Sequence, residues 1–258
     1  MIDLMKTAFV QPLNIHKAKN IRKGKAFLYL TVLAIFMAVP FLVQALRTLS
    51  SIHEDGQEIA QSIPDFQVQN GEVILEQDAE SFVYQTDTFL FFFDPEGKMS
   101  TDTISRNTQR LGVPIGFGVM ENELHFSVLS YDLGLPYNQL DGLTGAELRG
   151  LMNSVGTYDA VYLLLFFLVF FVISLANLAF ELLVYTIFAN LVAAVLRRRY
   201  RFGENWKMIT VSATVPVILF AVLNLMGVYL LWQIELKGLV TLLYYYNAIK
   251  NDSSHSAA

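Results

Sequence analysis

The chain contains no cysteine. That excludes disulfides, thiolate metal ligands, a lipid-modified cysteine and a cysteine nucleophile. Histidine is scarce: the 4 histidines, His16, His53, His125 and His255, lie far apart, and no pair has helical metal-ligand spacing. A glycine-rich phosphate loop is missing. Ser127 follows His125 by two residues on a predicted strand, but no acid or nucleophile turn accompanies them, so a serine-hydrolase triad is not supported. No metal or cofactor is expected. Charge is also sparse, at 16% of residues, against about 25% in an average soluble domain.

What the chain has instead is apolar sequence in blocks. Residues 26–46 carry no charge and would rise about 31 Å as a helix, enough to cross a bilayer. Pro40 is expected to kink this segment. It is too long for a signal-peptide core and reads as an uncleaved anchor. Residues 160–196 form a second run, too short for three crossings and longer than one needs. A single tilted helix, or one bent near Asn177–Glu181, fits it. Residues 208–226 form a third run, with a kink expected at Pro216. Glu235 and Lys237 interrupt the last run, leaving a short apolar stretch over 238–249. A return through that stretch gives four crossings, and the alternative is three with the C-terminus outside.

The net charge of -5 conceals a segregation. Residues 1–25 hold Lys6, Lys17, Lys19, Arg22, Lys23 and Lys25 against Asp3 alone. Arg197, Arg198, Arg199, Arg201 and Lys207 face only Glu204 in their segment. Residues 47–159 are strongly acidic. Basic segments beside apolar blocks stay cytoplasmic. The expected topology of this plasma-membrane, multi-pass chain is therefore an inner N-terminus, an extracytoplasmic 47–159, and an inner tail over 250–258. Arg22, Lys23, Lys25 and Arg197–Arg199 with Arg201 are the candidate lipid-binding and topology-setting cluster. An acidic domain of this kind is unsuited to nucleic acid. Residues 2–15 read either as a helix lying on the inner leaflet or as a solvated leader.

Between the first two runs the pattern is that of an α+β domain with about five strands. Asn70-Gly71, flanked by alternating residues, predicts a hairpin. Phe89–Phe93 reads as a strand buried on both faces. Val113–Met120 and Leu124–Leu129 suggest a second hairpin, and Thr144 with Glu147 forms a capping box opening a helix to about Met152.

The polar residues of the second run are the most informative. Ser174, Asn177, Glu181 and Tyr185 fall on one narrow helical face. A glutamate in an apolar helix must be paired, neutral or near water. Counted from Ala160, Glu181 falls about 31 Å down the helix, which puts it near the inner headgroups. Its expected partners are Arg197–Arg199 or Lys207. The alternative is a polar seam lining an ion or substrate path.

Arg22-Lys-Gly-Lys-Ala-Phe-Leu-Tyr29 leading to Pro40, and Phe93-Asp-Pro-Glu-Gly-Lys98, give the chain a resemblance to an uncharacterised membrane-protein family of Gram-positive bacteria. That family is labelled maltodextrin-utilisation membrane proteins and carries a domain of unknown function. Phe202-Gly-Glu-Asn-Trp-Lys207 with Ser212 and Pro216, and Tyr244–Lys250, look like the broader Yip-type membrane fold. The resemblance implies an α-helical integral membrane protein of about four transmembrane helices with an inserted extracytoplasmic α+β domain. It implies no catalytic residues. The resulting expectation is a non-enzymatic accessory protein whose partners are the bilayer and other membrane proteins, a sugar importer among them. A transporter or channel component using Asn177 and Glu181 is the alternative.

Overall fold

The computed structural model describes residues 2–75, 79–128 and 131–252. His255, most of the tail over 250–258 and the end of the strand expected to reach Leu129 lie outside the described residues. The chain divides into two compact units, one of residues 1–45 and 159–258, the other of residues 46–158.

The first unit is helical. α1 (Ile2–Val10) is followed by a 3-10 stretch, Pro12–Asn20, with proline at its start where a missing N–H costs nothing. α2 (Lys23–Ser62) is one helix of 40 residues that continues through Pro40, and its residues from 46 on belong to the second unit. α5 (Ala160–Val195) is one uninterrupted helix of 36 residues, so the bend considered near Asn177–Glu181 is not made. It contains no Gly or Pro, and the Asp159 carboxylate caps it by accepting from the amides of Val161 (2.9 Å) and Tyr162 (3.1 Å). Its end is closed by Arg197 in the left-handed region, φ 53°, with the Arg198 amide reaching back to the Ala193 carbonyl.

The third run is broken. α6 (Phe202–Ser212) and α7 (Thr214–Leu225) meet at Ala213 with a bend of 40°. The kink expected at Pro216 thus falls just before it. Proline at 216 has no N–H for the Ser212 carbonyl, and its ring crowds that same carbonyl, so the chain yields one turn upstream. α8 (Gln233–Lys250) begins well before the expected 238, taking Glu235 and Lys237 into the helix. α2 and α5 are each long and apolar enough to cross a membrane, and α6 with α7 makes a third if the bent pair is one span. Tyr29, Leu33, Leu178, Leu182, Met208, Val217 and Tyr245 form the core of this unit.

The second unit is α+β. β1 (Phe66–Gln69) and β2 (Glu72–Leu75) form the hairpin at Asn70-Gly71, where φ is 52° and 83°, the pair of positive values a type I′ turn requires. A separate sheet runs in the order β3 (Phe82–Gln85), β4 (Phe89–Asp94), β5 (Ile115–Met120), β6 (Glu123–Val128), β7 (Tyr131–Pro136). β4 and β5 are parallel, joined by α3 (Thr101–Leu111), and the other pairs are antiparallel. There are seven strands among the described residues rather than five. All of Phe89–Asp94 is buried. Phe89, Phe91 and Phe93 pack with Ile59, Phe66, Phe117 and Leu148, while Leu90 and Phe92 pack with Ile104 of α3 and Met120. A fully buried phenylalanine contributes about 1.5–3 kcal/mol, so this strand anchors cores on both sides of the sheet. α4 (Gly145–Ser154) opens with the Thr144–Glu147 capping box.

Candidate functional site

α5 buries Ser174, Glu181, Tyr185 and Thr186 in the helical unit while Asn177 stands exposed beside them, and none of these is near the basic cluster. Glu181 is 4% exposed and accepts from the Lys237 ammonium through both oxygens, at 2.9 and 2.7 Å. Lys237 is as deeply buried, at 4%. Asn177 donates its side-chain amide to Glu181 Oε1 at 3.2 Å. Tyr185 donates to the Ile234 carbonyl at 2.7 Å, so it touches the first turn of α8 as well. Two of the four predicted residues, Glu181 and Tyr185, therefore bond α8, and Asn177 supports Glu181. Ser174 is buried too, but its hydroxyl has no hydrogen-bond partner among the described residues.

This corrects the expected surroundings of Glu181. Its partner is Lys237, not Arg197–Arg199 or Lys207, and it is buried. Arg198 instead donates to the Lys250 carbonyl at 3.3 Å, and Lys207 to the Lys19 carbonyl at 3.1 Å. Sixteen residues separate Glu181 from Arg197, about 24 Å by helical rise. Lys237 and Lys250 are thirteen residues apart in α8, about 20 Å. Both helices thus place the pair far from their basic ends.

A cavity of about 190 Å³ adjoins the pair, lined by Met37, Phe41, Asn177, Val217, Asn224 and Gln233 among others. Asn224 Oδ1 is buried with no hydrogen-bond partner among the described residues. The packing here is tight on the other side. A Cβ on Gly238 would lie 2.7 Å from Tyr185 Cε1. Gly238→Ala is therefore expected to push Tyr185 off the Ile234 carbonyl and destabilise the protein by about 1–3 kcal/mol, the range for overpacking. Thermal melting of the detergent-extracted variant measures this; an unchanged midpoint would mean that Tyr185 moves freely.

A second polar network joins the ends of the helical unit. Lys19 and Asp252 pair at 2.5 Å, both nearly buried, and the Tyr200 hydroxyl donates to the same carboxylate at 2.7 Å. Asn205 donates to Asn190 at 2.7 Å and accepts from Tyr245 at 2.6 Å. Arg22, Lys23, Lys25, Arg197, Arg199 and Arg201 remain exposed.

In the α+β unit, Glu123, His125 and Ser127 share one face of β6. His125 Nδ1 lies 2.8 Å from Glu123 Oε1, and Nε2 lies 3.8 Å from Asp132 Oδ1. The Ser105 and Ser127 hydroxyls bond Asp132, and hold its carboxyl below the usual range. Ser127 thus serves the aspartate rather than the histidine, which is not a nucleophile–base arrangement. His53 bonds the Val155 carbonyl and His16 the Leu13 carbonyl. Among the described residues no group of three acidic or histidine side chains is placed to hold a metal.

The turn Phe93–Lys98 has a structural task. Asp94, with no exposure, accepts from Ser81 Oγ at 2.6 Å and from the amides of Lys98 and Met99. Gly97 sits at φ 70°, where a Cβ would meet the Glu121 carboxylate at 2.3 Å.

With that geometry in view, a family model described as "Protein of unknown function (DUF1189)" matches residues 2–249. The chain belongs to this family. No curated protein and no solved structure matches it. Membership covers both units, so the α+β segment is part of the family pattern and not an addition to it.

Lys237 and the Lys19–Asp252 pair were not singled out from sequence. For Lys237 a signal existed: Glu181 is the only acid between residues 160 and 196, and an apolar run that holds one charge calls for its opposite elsewhere. Lys19 and Asp252 lie 233 positions apart, and nothing local links them.

Proposed function

We propose that the chain is a non-enzymatic accessory protein of the plasma membrane, with α2, α5, the α6–α7 pair and α8 in the bilayer and residues 47–159 outside. The observation that carries this reading is the Glu181–Lys237 pair. Its charges neutralise one another and fasten α8 to α5, which lets a helix with charged residues in its first half lie in hydrocarbon. With the pair about 20 Å from the basic ends of both helices, it falls inside a hydrocarbon core about 30 Å thick, nearer the outer face. Four crossings place both basic clusters and the C-terminus in the cytoplasm. The lipid-facing side of α5 is apolar, with Val161, Leu164, Leu168 and Val172 exposed. The chemistry in the membrane is thus used to hold helices together, and the domain outside is what remains to meet a partner. The resemblance to maltodextrin-utilisation membrane proteins makes a sugar importer the first partner to test, by identifying proteins that co-purify after mild detergent extraction.

A second reading, a transport component, is favoured by one observation: the cavity beside the pair has an unsatisfied oxygen, Asn224 Oδ1. A path would need such groups to continue toward both ends.

The topology is tested directly. Trypsin added to intact protoplasts is expected to cut after Lys98, which stands exposed in the turn following β4, and to spare Arg197–Arg201. Protection of Lys98 together with cleavage at the arginines would invert the reading.

A further inference from the structure

The start of α2 and the first two turns of α6 form an open cavity of about 420 Å³, lined by Lys23, Gly24, Phe27, Gly203, Trp206 and Lys207. We infer that this cavity binds the phosphate headgroup of an anionic phospholipid. The inference rests on the bilayer placement proposed above, which puts this corner at the inner leaflet.

Charge and shape both point that way. Lys23 and Lys207 line the two sides mainly through their apolar stems, and among the described residues neither ammonium pairs with a carboxylate. The Lys207 ammonium donates to the Lys19 carbonyl at 3.1 Å, which fixes the ammonium and leaves it two further protons to donate. Glu204, the acid in the first turn of α6, is held by the Arg201 amide at 2.7 Å. The first turn of α2 contains no acid. Gly24 and Gly203 have open space where a Cβ would stand, so the backbone of both helices is accessible in the walls. Both walls belong to N-terminal turns, whose amide partial charges add to the field of the two lysines.

The rest of the lining is apolar, and this separates a lipid from a free phosphate. Phe27 is 58% exposed and Leu28 beside it 53%, and the Trp206 indole forms the opposite side. A soluble phosphate gains nothing from these rings. A phospholipid lays its acyl chain along them while its phosphate meets the lysines, the arrangement of basic pockets between helices on the cytoplasmic side. An indole at this depth suits the interface.

The chain has 2 tryptophans, Trp206 and Trp232. In Trp232→Phe, Trp206 alone reports on the cavity. The full chain is reconstituted in phosphatidylcholine vesicles containing either brominated phosphatidylglycerol or brominated phosphatidylcholine at equal mole fraction. Quenching of Trp206 is expected to favour the anionic lipid by about fivefold or more, in line with two lysines near a phosphate. In Lys23→Gln/Lys207→Gln the preference should fall to about one, and in Lys23→Gln alone to an intermediate value. Glycerol phosphate in the buffer should change nothing. Equal quenching by both lipids, or a preference that survives the double substitution, overturns the proposal. Relief of quenching by glycerol phosphate overturns it in favour of a soluble ligand. Trp206→Phe leaves Trp232 as reporter of insertion. If Trp232 is quenched by both lipids while Trp206 shows no preference, the site fails and the bilayer placement stands. If neither tryptophan is quenched, the placement fails and the site with it.

Discussion

Lys237→Met is expected to destabilise the protein by about 3–5 kcal/mol, because it leaves the Glu181 carboxylate buried with no counter-charge. For a chain of this size that is a drop of roughly 10 °C or more in the melting midpoint of the detergent-extracted protein. Glu181→Leu should do similar damage from the other side. Asn177 can still donate one hydrogen bond to an orphaned Glu181, whereas an orphaned Lys237 has no second carboxylate in contact among the described residues. The double variant Glu181→Leu/Lys237→Met should recover most of the loss, since apolar side chains of similar volume replace a buried ion pair at little or no cost. A coupling near zero in this cycle would mean that the two charges are hydrated, and would return Glu181 to the interface. The cycle also separates the two functional readings. A double variant that melts like the parent and still supports the protein's cellular role leaves the pair as a fastening. One that melts like the parent but loses that role makes the pair part of a path.

The same pair shows where sequence reasoning stops. Helical spacing put Ser174, Asn177, Glu181 and Tyr185 on one face; in the fold Ser174, Glu181 and Tyr185 are buried and Asn177 is exposed. Spacing says nothing about which helix lies opposite. Glu235 and Lys237 read as an interruption of the last run because a charged residue inside a short apolar run is costly alone. In the fold it is not alone, and α8 starts earlier than its apolar residues suggest. Depth along α5 depends on the end counted from: Glu181 lies about 31 Å from Ala160 and about 24 Å from Arg197, because α5 is longer than one crossing requires. Local chemistry was more legible: the Asn70-Gly71 turn and the Thr144 capping box are each set by neighbours within four residues. Other elements were hidden. β7, with Gly134 and Pro136, lacks strand character and is recruited by pairing with β6. α3 is largely polar, with Ile104 and Thr108 its buried residues, too few to mark it as the crossover that makes β4 and β5 parallel.

Asp94→Ala is expected to cost the α+β unit about 3 kcal/mol, a large share of the stability of a single domain. The unit of residues 46–158 has its own aromatic core, sheet and capped helix, and is expected to fold as a soluble monomer when produced alone. Within it Asp94 ends β4 and turns its carboxylate back over the chain that follows. One oxygen takes Ser81 and the Lys98 amide, the other the Met99 amide. Alanine leaves all three donors without their acceptor in a half-buried turn, and an unsatisfied donor costs about 1–3 kcal/mol. Asparagine keeps the shape but presents an N–H₂ group to one of those donors, so Asp94→Asn should fall between alanine and the parent. Urea unfolding followed by circular dichroism gives the midpoints, and the slope should stay the same if only stability changes. An Asp94→Ala unit as stable as the parent would show that this turn is not held by its aspartate. The turn would then have to be explained by something it contacts outside its own unit, and the motif Phe93–Lys98 would move from architecture to recognition.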